Sequence, residues 1–281
     1  MKKGLILEGG AMRGIYTAGV LDVFMENFCQ FDGVIGVSAG AIHGSGYISG
    51  QMGRSIRYYS KYMNDPRFLS WKSFFKTGNI CGEDFCYHEI PENLDPFDYE
   101  AFKESPMKFY VVMTNLKTGR AEYVHVKDLK AGMDYLLATS SMPAVSHIVK
   151  LDGKAFLDGG IADSIPVRAF EKMGYERNVA VLTRAAGYKK KKPFMPPFRM
   201  LYGKEYPKFV DAMEKRCDMY NAEVEDIERQ ENEGKLFVIR PSENLGVGRL
   251  EKNPQKIMDL YRLGVNDARD SLERMKKFLF Y

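Results

Sequence analysis

Ser38 stands in Gly36-Val37-Ser38-Ala39-Gly40, directly behind the apolar run Gly33-Val34-Ile35, and the small residues Ala41, Gly44, Ser45 and Gly46 follow. A strand that stops at Gly-x-Ser-x-Gly and continues into a helix is the pattern of a nucleophile elbow. Side chains two positions either side of so sharp a turn would collide, which is why Gly36 and Gly40 flank the serine. Its hydroxyl is then left at the carboxyl end of the sheet, near the positive end of a helix dipole, where a deprotonating oxygen is favoured.

A second glycine-rich turn lies at the N-terminus. Gly4-Leu5-Ile6-Leu7 reads as a short buried strand, then Glu8-Gly9-Gly10-Ala11-Met12-Arg13-Gly14, then a segment of helical periodicity from Ile15 to Phe24. Such a loop presents unpaired backbone N–H groups to an anion. A phosphate-binding P-loop needs Lys followed by Ser or Thr, and Arg13-Gly14 stands there instead. A dinucleotide fingerprint needs G-x-G-x-x-G, which Gly9, Gly10 and Gly14 do not provide. An oxyanion hole needs only aligned N–H groups beside the nucleophile, and a serine elbow one βα unit later favours that reading over a plain structural turn.

The serine then needs a base. The four histidines are His43, His88, His125 and His147. None precedes Ser38, which removes the chymotrypsin and subtilisin orders, and none follows His147, which disfavours the α/β-hydrolase order. His43, five residues past Ser38, points elsewhere on the helix and reads as packing or surface. A carboxylate is the alternative: Lys154-Ala155-Phe156-Leu157-Asp158-Gly159-Gly160 reads as a short strand ending in Asp158 at a tight turn. Taken alone, Asp158 serves equally well as a turn cap.

Gly9-Gly10-Ala11-Met12-Arg13-Gly14, Gly36-Val37-Ser38-Ala39-Gly40 and Asp158-Gly159-Gly160 together resemble, in order and distance, the motifs of the patatin-like phospholipases. Ala138-Thr139-Ser140-Ser141-Met142-Pro143-Ala144, Asp163-Ser164-Ile165-Pro166-Val167 and Phe109–Asn115 are similar to further segments of that family, so the resemblance covers about residues 4 to 185. It implies a Ser–Asp dyad with Ser38 as nucleophile and Asp158 as its partner. The oxyanion loop would come from Gly9, Gly10, Ala11 and Met12, supported by Arg13 and Gly14, with no metal or cofactor. Arg13 would brace the loop or attract an anionic head group. Ala11 departs from the family's third glycine, and its N–H serves only if the local φ suits a residue with a Cβ. Asp163 stands where asparagine is common.

The elements that must hold these residues alternate. Strand-like runs at Gly4–Leu7, Val34–Val37, Phe109–Thr114, Val179–Leu182 and Leu236–Ile239 have helical stretches between them, and Ala121–Val126 and Phe156–Leu157 read as antiparallel additions. With the resemblance, this predicts an α/β fold: a three-layer α/β/α sandwich with a largely parallel central sheet. The expected organisation is a catalytic core over residues 1–185, with a basic loop and C-terminal helices over 186–281 packed on or capping it. The aromatic segment Arg54 to Tyr99 reads as packing with a share in the pocket wall.

The 281 residues carry a net charge of +4 and are 45% hydrophobic, enough for a buried core. Charge is uneven. Between Gly187 and Lys208 there are seven cations, Lys189, Lys190, Lys191 and Lys192 among them, and one acid, interleaved with Phe194, Phe198, Met200 and Leu201. That composition suits peripheral contact with an anionic membrane as well as it suits a solvated loop, and a nucleic-acid reading is weaker because the remainder of the chain is net acidic. The four cysteines have no disulfide-framework spacing, and the apolar run after Met1-Lys2-Lys3 is too short for a signal peptide. The expectation is an acyl hydrolase of (lyso)phospholipids or related lipids, in the cytoplasm or peripheral at the membrane, with a peptide or amide hydrolase, or a weakly catalytic lipid-binding protein, as alternatives.

Overall fold

The computed structural model describes residues 1–280. In chain order it contains β1 (Lys2–Leu7), α1 (Ile15–Glu26), β2 (Gly33–Val37), α2 (Ala39–Ile48), α3 (Arg54–Tyr62), α4 (Trp71–Thr77) and α5 (Tyr99–Glu104). There follow β3 (Lys108–Asn115), β4 (Ala121–Val126), α6 (Met133–Ser140), β5 (Val149–Leu151), β6 (Lys154–Asp158) and α7 (Val167–Lys172). The chain ends with β7 (Tyr175–Val181), α8 (Pro196–Tyr202), α9 (Pro207–Asn232), β8 (Leu236–Ile239) and α10 (Pro254–Phe280). A π-helix over Phe85–Leu94 lies between α4 and α5.

One sheet of eight strands runs β5-β6-β3-β2-β1-β7-β8, with β4 also on β3. The five strands from β3 to β8 along that path are mutually parallel; β4 and β6 each pair antiparallel with β3, and β5 pairs antiparallel with β6. The period of two along β1 explains the three layers. Leu5 and Leu7 pack with Ile15, Phe24 and Leu272 of α1 and α10 on one face. Ile6 packs with Phe170, Tyr220 and Ile227 of α7 and α9 on the other. Helices thus cover both faces of a largely parallel sheet, the architecture expected from the alternation of elements.

The pairing of β3 positions the site. Residues 108–112 of β3 pair with β2, the last rung being Val37 with Val112. The next residue, Met113, pairs with Asp158 of β6. Because β4 occupies the opposite edge of β3 across both Val112 and Met113, β2 and β6 meet end to end along one edge. Both strands finish there, so Ser38, one residue past β2, and Asp158, the last residue of β6, emerge side by side.

Candidate active site

Ser38 directly follows β2 at φ 53°, ψ −126°, a left-handed conformation that few non-glycine residues adopt and that marks a strained turn. α2 begins at the next residue. The turn is tight enough that a Cβ on Gly40 would lie 2.4 Å from the Leu7 carbonyl oxygen. Ser38 is held from below: its N–H donates to Thr139 Oγ1 at 2.9 Å, and that hydroxyl donates on to the Val112 carbonyl at 2.6 Å.

Asp158 ends β6. Its own N–H donates to the Ser141 carbonyl at 2.8 Å, and its Oδ1 accepts the Gly160 N–H at 2.8 Å. The carboxylate thus caps the turn, and the Ser38 hydroxyl is among the groups that act on it. Burial pushes the Asp158 carboxyl above its ordinary range, opposed by Arg216, the Gly160 N–H, Ser38 and Arg249. Arg216, on α9, donates from Nε to the Gly160 carbonyl at 2.7 Å, which ties the long C-terminal helix to the turn behind Asp158.

The Gly9–Gly14 loop lies against the elbow. A Cβ on Gly9 would come within 2.9 Å of Ser38 Cβ, so only glycine permits this approach. Ala11 adopts φ 49°, the conformation a glycine would take without strain. Among the described residues, the N–H groups of Gly10 and Ala11 donate to no protein acceptor, whereas that of Met12 points at the Arg249 carbonyl, 3.4 Å away. Glu8, just before the loop, is buried and fully engaged: Oε2 accepts the Thr183 N–H at 2.6 Å and Oε1 the Tyr220 hydroxyl at 2.9 Å. Gly14 closes the loop against the ring of His43.

His43 is buried, with Nδ1 2.8 Å from Ser55 Oγ, and burial lowers its pKa to about 3. It is a neutral packing residue. Asp163 accepts the Tyr123 hydroxyl at 2.7 Å and lies beside Glu223 of α9, both half-buried, and burial together with Asp163 pushes the Glu223 carboxyl up to about 9.

Two cavities meet at Ser38 and Ala11. One, of about 120 Å³, is apolar and runs beneath α2, α3, the π-helix and α6, lined by Tyr58, Tyr59, Phe68, Tyr87, Leu136 and Met142 among others. The aromatic segment after Arg54 thus supplies much of its wall. Cys81 and Cys86, within reach of each other, lie in this wall, and all four cysteines are free. The other cavity, of about 360 Å³, is the more polar of the two and is lined by Asp158, Arg13, Arg184, Lys190, Arg216 and Arg249 among others.

The run Lys189–Lys192 divides along the edge of the polar cavity. Lys189 pairs with Glu225 at 3.4 Å and Lys192 with Asp218 at 3.6 Å, both on α9. Lys190 turns inward, its Nζ 3.7 Å from the centre of the Tyr220 ring, and Lys191 lines the cavity. Trp71 and Phe198 reach the same cavity, and Trp71, Phe75, Phe194, Met200 and Leu201 are exposed.

Thr139, Ser141, Glu8, Arg216 and Arg249 are structural partners to which sequence alone assigns no individual role. Glu8 alone carries a local signal, an acid between a buried strand and a glycine loop. Among the described residues, no group of three or more His, Cys, Asp or Glu is arranged to hold a metal ion.

A parallel-centred sheet with a serine elbow beside a strand-end aspartate and a glycine loop is the frame of a known hydrolase class. The family model for patatin-like phospholipase matches residues 5–171, and this chain belongs to that family. A second model, a domain of unknown function (DUF6363), matches residues 206–280. The uncharacterized protein YjjU of Escherichia coli is 28% identical over 282 residues, covering 98% of this chain and 78% of that protein. Lysophospholipase nte1 of Emericella nidulans is 27% identical over 177 residues, 61% of this chain but 11% of that much longer protein. An uncharacterized NTE family protein of Mycobacterium tuberculosis is 22% identical over 178 residues, with 63% of this chain and 48% of its own length covered. Among solved structures, VipD from Legionella pneumophila matches with a TM-score of 0.49 at 13% identity, over 98% of this chain and 67% of that chain.

Proposed function

We propose that this protein is a serine acyl hydrolase that cleaves fatty-acyl carboxylic esters of lysophospholipids or phospholipids through a Ser38–Asp158 dyad. The observation that carries the reading is the end-to-end meeting of β2 and β6 on β3, which sets the two side chains together at the junction of an apolar and a polar cavity. Membership of a phospholipase family and the likeness to a lysophospholipase support the substrate class.

In this reading Asp158 accepts the Ser38 proton as the serine oxygen attacks the ester carbonyl. The resulting oxyanion is held by the free N–H groups of the glycine loop, Gly10 and Ala11 foremost, with Gly9 shaping the approach and Met12 closing the loop. The acyl chain occupies the apolar cavity and the alcohol portion the polar one. The proton on Asp158 passes to the leaving alcohol. Asp158 then takes a proton from water, whose oxygen attacks the acyl-serine, and the fatty acid departs as Ser38 regains its proton. Residues 1–185 carry these steps, and 186–281 add the wall that contains Lys190, Arg216 and Arg249.

Access to lipid is supported by the exposed Trp71, Phe75, Phe194 and Met200 beside lysines near the polar cavity, a composition suited to an anionic membrane surface. Among the described residues no helix is long and apolar enough to cross a membrane, and we place the protein in the cytoplasm, peripheral to the bilayer, where its four free thiols stay reduced. The test is turnover of a palmitoyl ester and of a matched peptide by wild type, Ser38→Ala and Asp158→Asn. Ester hydrolysis lost by at least about 10³-fold in Ser38→Ala is expected; peptide cleavage without ester cleavage would overturn the reading.

A further inference from the structure

The polar cavity holds more positive charge than the acyl-transfer chemistry uses. Arg13 is nine-tenths buried, and its Nε has no hydrogen-bond partner among the described residues. Arg184, Lys190, Arg216 and Arg249 line the same space, and among the described residues none of the five has a carboxylate within 4.0 Å. Their charges act on one another: Arg13 on Arg184 and Arg249, Lys190 on Arg216 and Arg249, and Arg216 on Arg249. The acids facing them are Glu8, whose two oxygens are already engaged, Asp158 and, toward Lys190 and Arg216, the largely protonated Glu223. Burial and mutual repulsion bring Arg13 down to about 10 and Lys190 to about 7. Five cations gathered around a cavity with so little compensation form a site whose electrostatic strain an incoming anion relieves.

We propose that Arg13, Arg184, Lys190, Arg216 and Arg249 form a phosphate-binding subsite that selects lipid substrates carrying a phosphomonoester head group. This rests on the acyl hydrolase reading above and names the substrate within it. The four arginines alone outnumber the Glu8 and Asp158 carboxylates by two, before Lys190 is counted, more than a singly charged phosphodiester neutralises, so a dianion is the better match. Two of the four aromatic residues lining this cavity already face cations of the cluster: Arg184 lies 4.1 Å from the centre of the Tyr188 ring, and Lys190 lies on Tyr220. Ser38 opens to both cavities, so a lipid with its chain in the apolar one presents its head group to these cations.

The experiment compares kcat/KM for 1-palmitoyl-glycerol 3-phosphate, 1-palmitoyl-glycerophosphocholine and 1-palmitoyl-glycerol in wild type and in Arg184→Gln/Lys190→Gln. These two positions are chosen because, among the described residues, neither side chain hydrogen-bonds to the Asp158 turn or to the Gly9–Met12 backbone. The expected result is a wild-type preference for the phosphomonoester, with its ratio to the uncharged glyceride falling at least tenfold in the double variant. A ratio that holds within twofold overturns the proposal. Calorimetry with glycerol 3-phosphate and with inorganic phosphate gives a readout independent of turnover. Binding of glycerol 3-phosphate that disappears in the double variant supports the subsite even if no ester is cleaved, in which case the hydrolase reading alone fails. Binding of inorganic phosphate with an unchanged lipid ratio assigns the pocket to the free ion and overturns the head-group proposal, as does no binding of either.

Discussion

Ser38 and Asp158 leave consecutive rungs on the same edge of β3: Val37 pairs with Val112, and Asp158 pairs with Met113. Two residues 120 positions apart are thereby fixed by backbone hydrogen bonds rather than by flexible loops, as a preorganised site requires. Thr139 and Ser141, at the end of α6, secure each side of the junction through the Ser38 and Asp158 amides.

Thr139→Val keeps the shape of that support but removes both of its hydrogen bonds, leaving the buried Ser38 N–H and Val112 carbonyl without their partner. An unsatisfied buried group costs about 1–3 kcal/mol. Chemical denaturation should show a loss of that order, and kcat should fall about 10- to 100-fold as the elbow loosens. Thr139→Ser, which retains the hydroxyl, should restore most of the activity.

Ala11 offers a test in the opposite direction. At φ 49° an alanine bears about 1–2 kcal/mol of left-handed strain, of which glycine gives back about 0.5–1 kcal/mol through backbone entropy. Ala11→Gly should therefore raise the melting temperature by about 2 °C with the loop N–H groups intact. Ala11→Val should lower both stability and turnover, since a β-branched residue fits this conformation worse.

The pH dependence follows from Asp158. Burial raises its carboxyl above the ordinary 3.8, and it must be ionised to accept the serine proton. Activity is thus present above the raised value and lost as pH falls through it. The acid limb of kcat/KM should have its midpoint above 3.8, and Arg216→Gln, which removes the largest opposing charge, should move that midpoint higher. A limb that stays in place in Arg216→Gln would show that another group controls it.

The apolar cavity sets acyl-chain preference. Leu136→Trp fills space in its wall, and displacing about three methylenes at about 0.8 kcal/mol each corresponds to roughly 50-fold. The ratio of kcat/KM for hexadecanoyl over octanoyl para-nitrophenyl esters should fall by that order, with the octanoyl ester affected least.

The turns of this site were legible in the sequence because their backbone geometry restricts residue type. Glycine on both sides of Ser38 and after Asp158 leaves a local mark, and so does the glycine loop at residues 9–14. The sheet was legible through its buried apolar runs, although β6 spans five residues where two stood out, and the three-residue β5 was too short to register. The π-helix over 85–94, which contains Pro91, follows no regular period. Glu8, Arg216 and Arg249 were not legible as site residues, since their partners lie up to about two hundred residues away and are set by how α9 crosses the sheet. The lysine run shows the same limit: composition makes Lys189 to Lys192 equivalent, and only packing against α9 turns Lys190 inward.

The central claim is that Asp158 activates Ser38 as a nucleophile. Intact-protein mass after exposure to a fluorophosphonate, for wild type, Ser38→Ala and Asp158→Asn, tests it most directly. One adduct on wild type, none on Ser38→Ala and a strongly slowed adduct on Asp158→Asn are predicted. An equal adduct on Ser38→Ala, equal labelling rates in Asp158→Asn and wild type, or none on folded wild-type protein would contradict it.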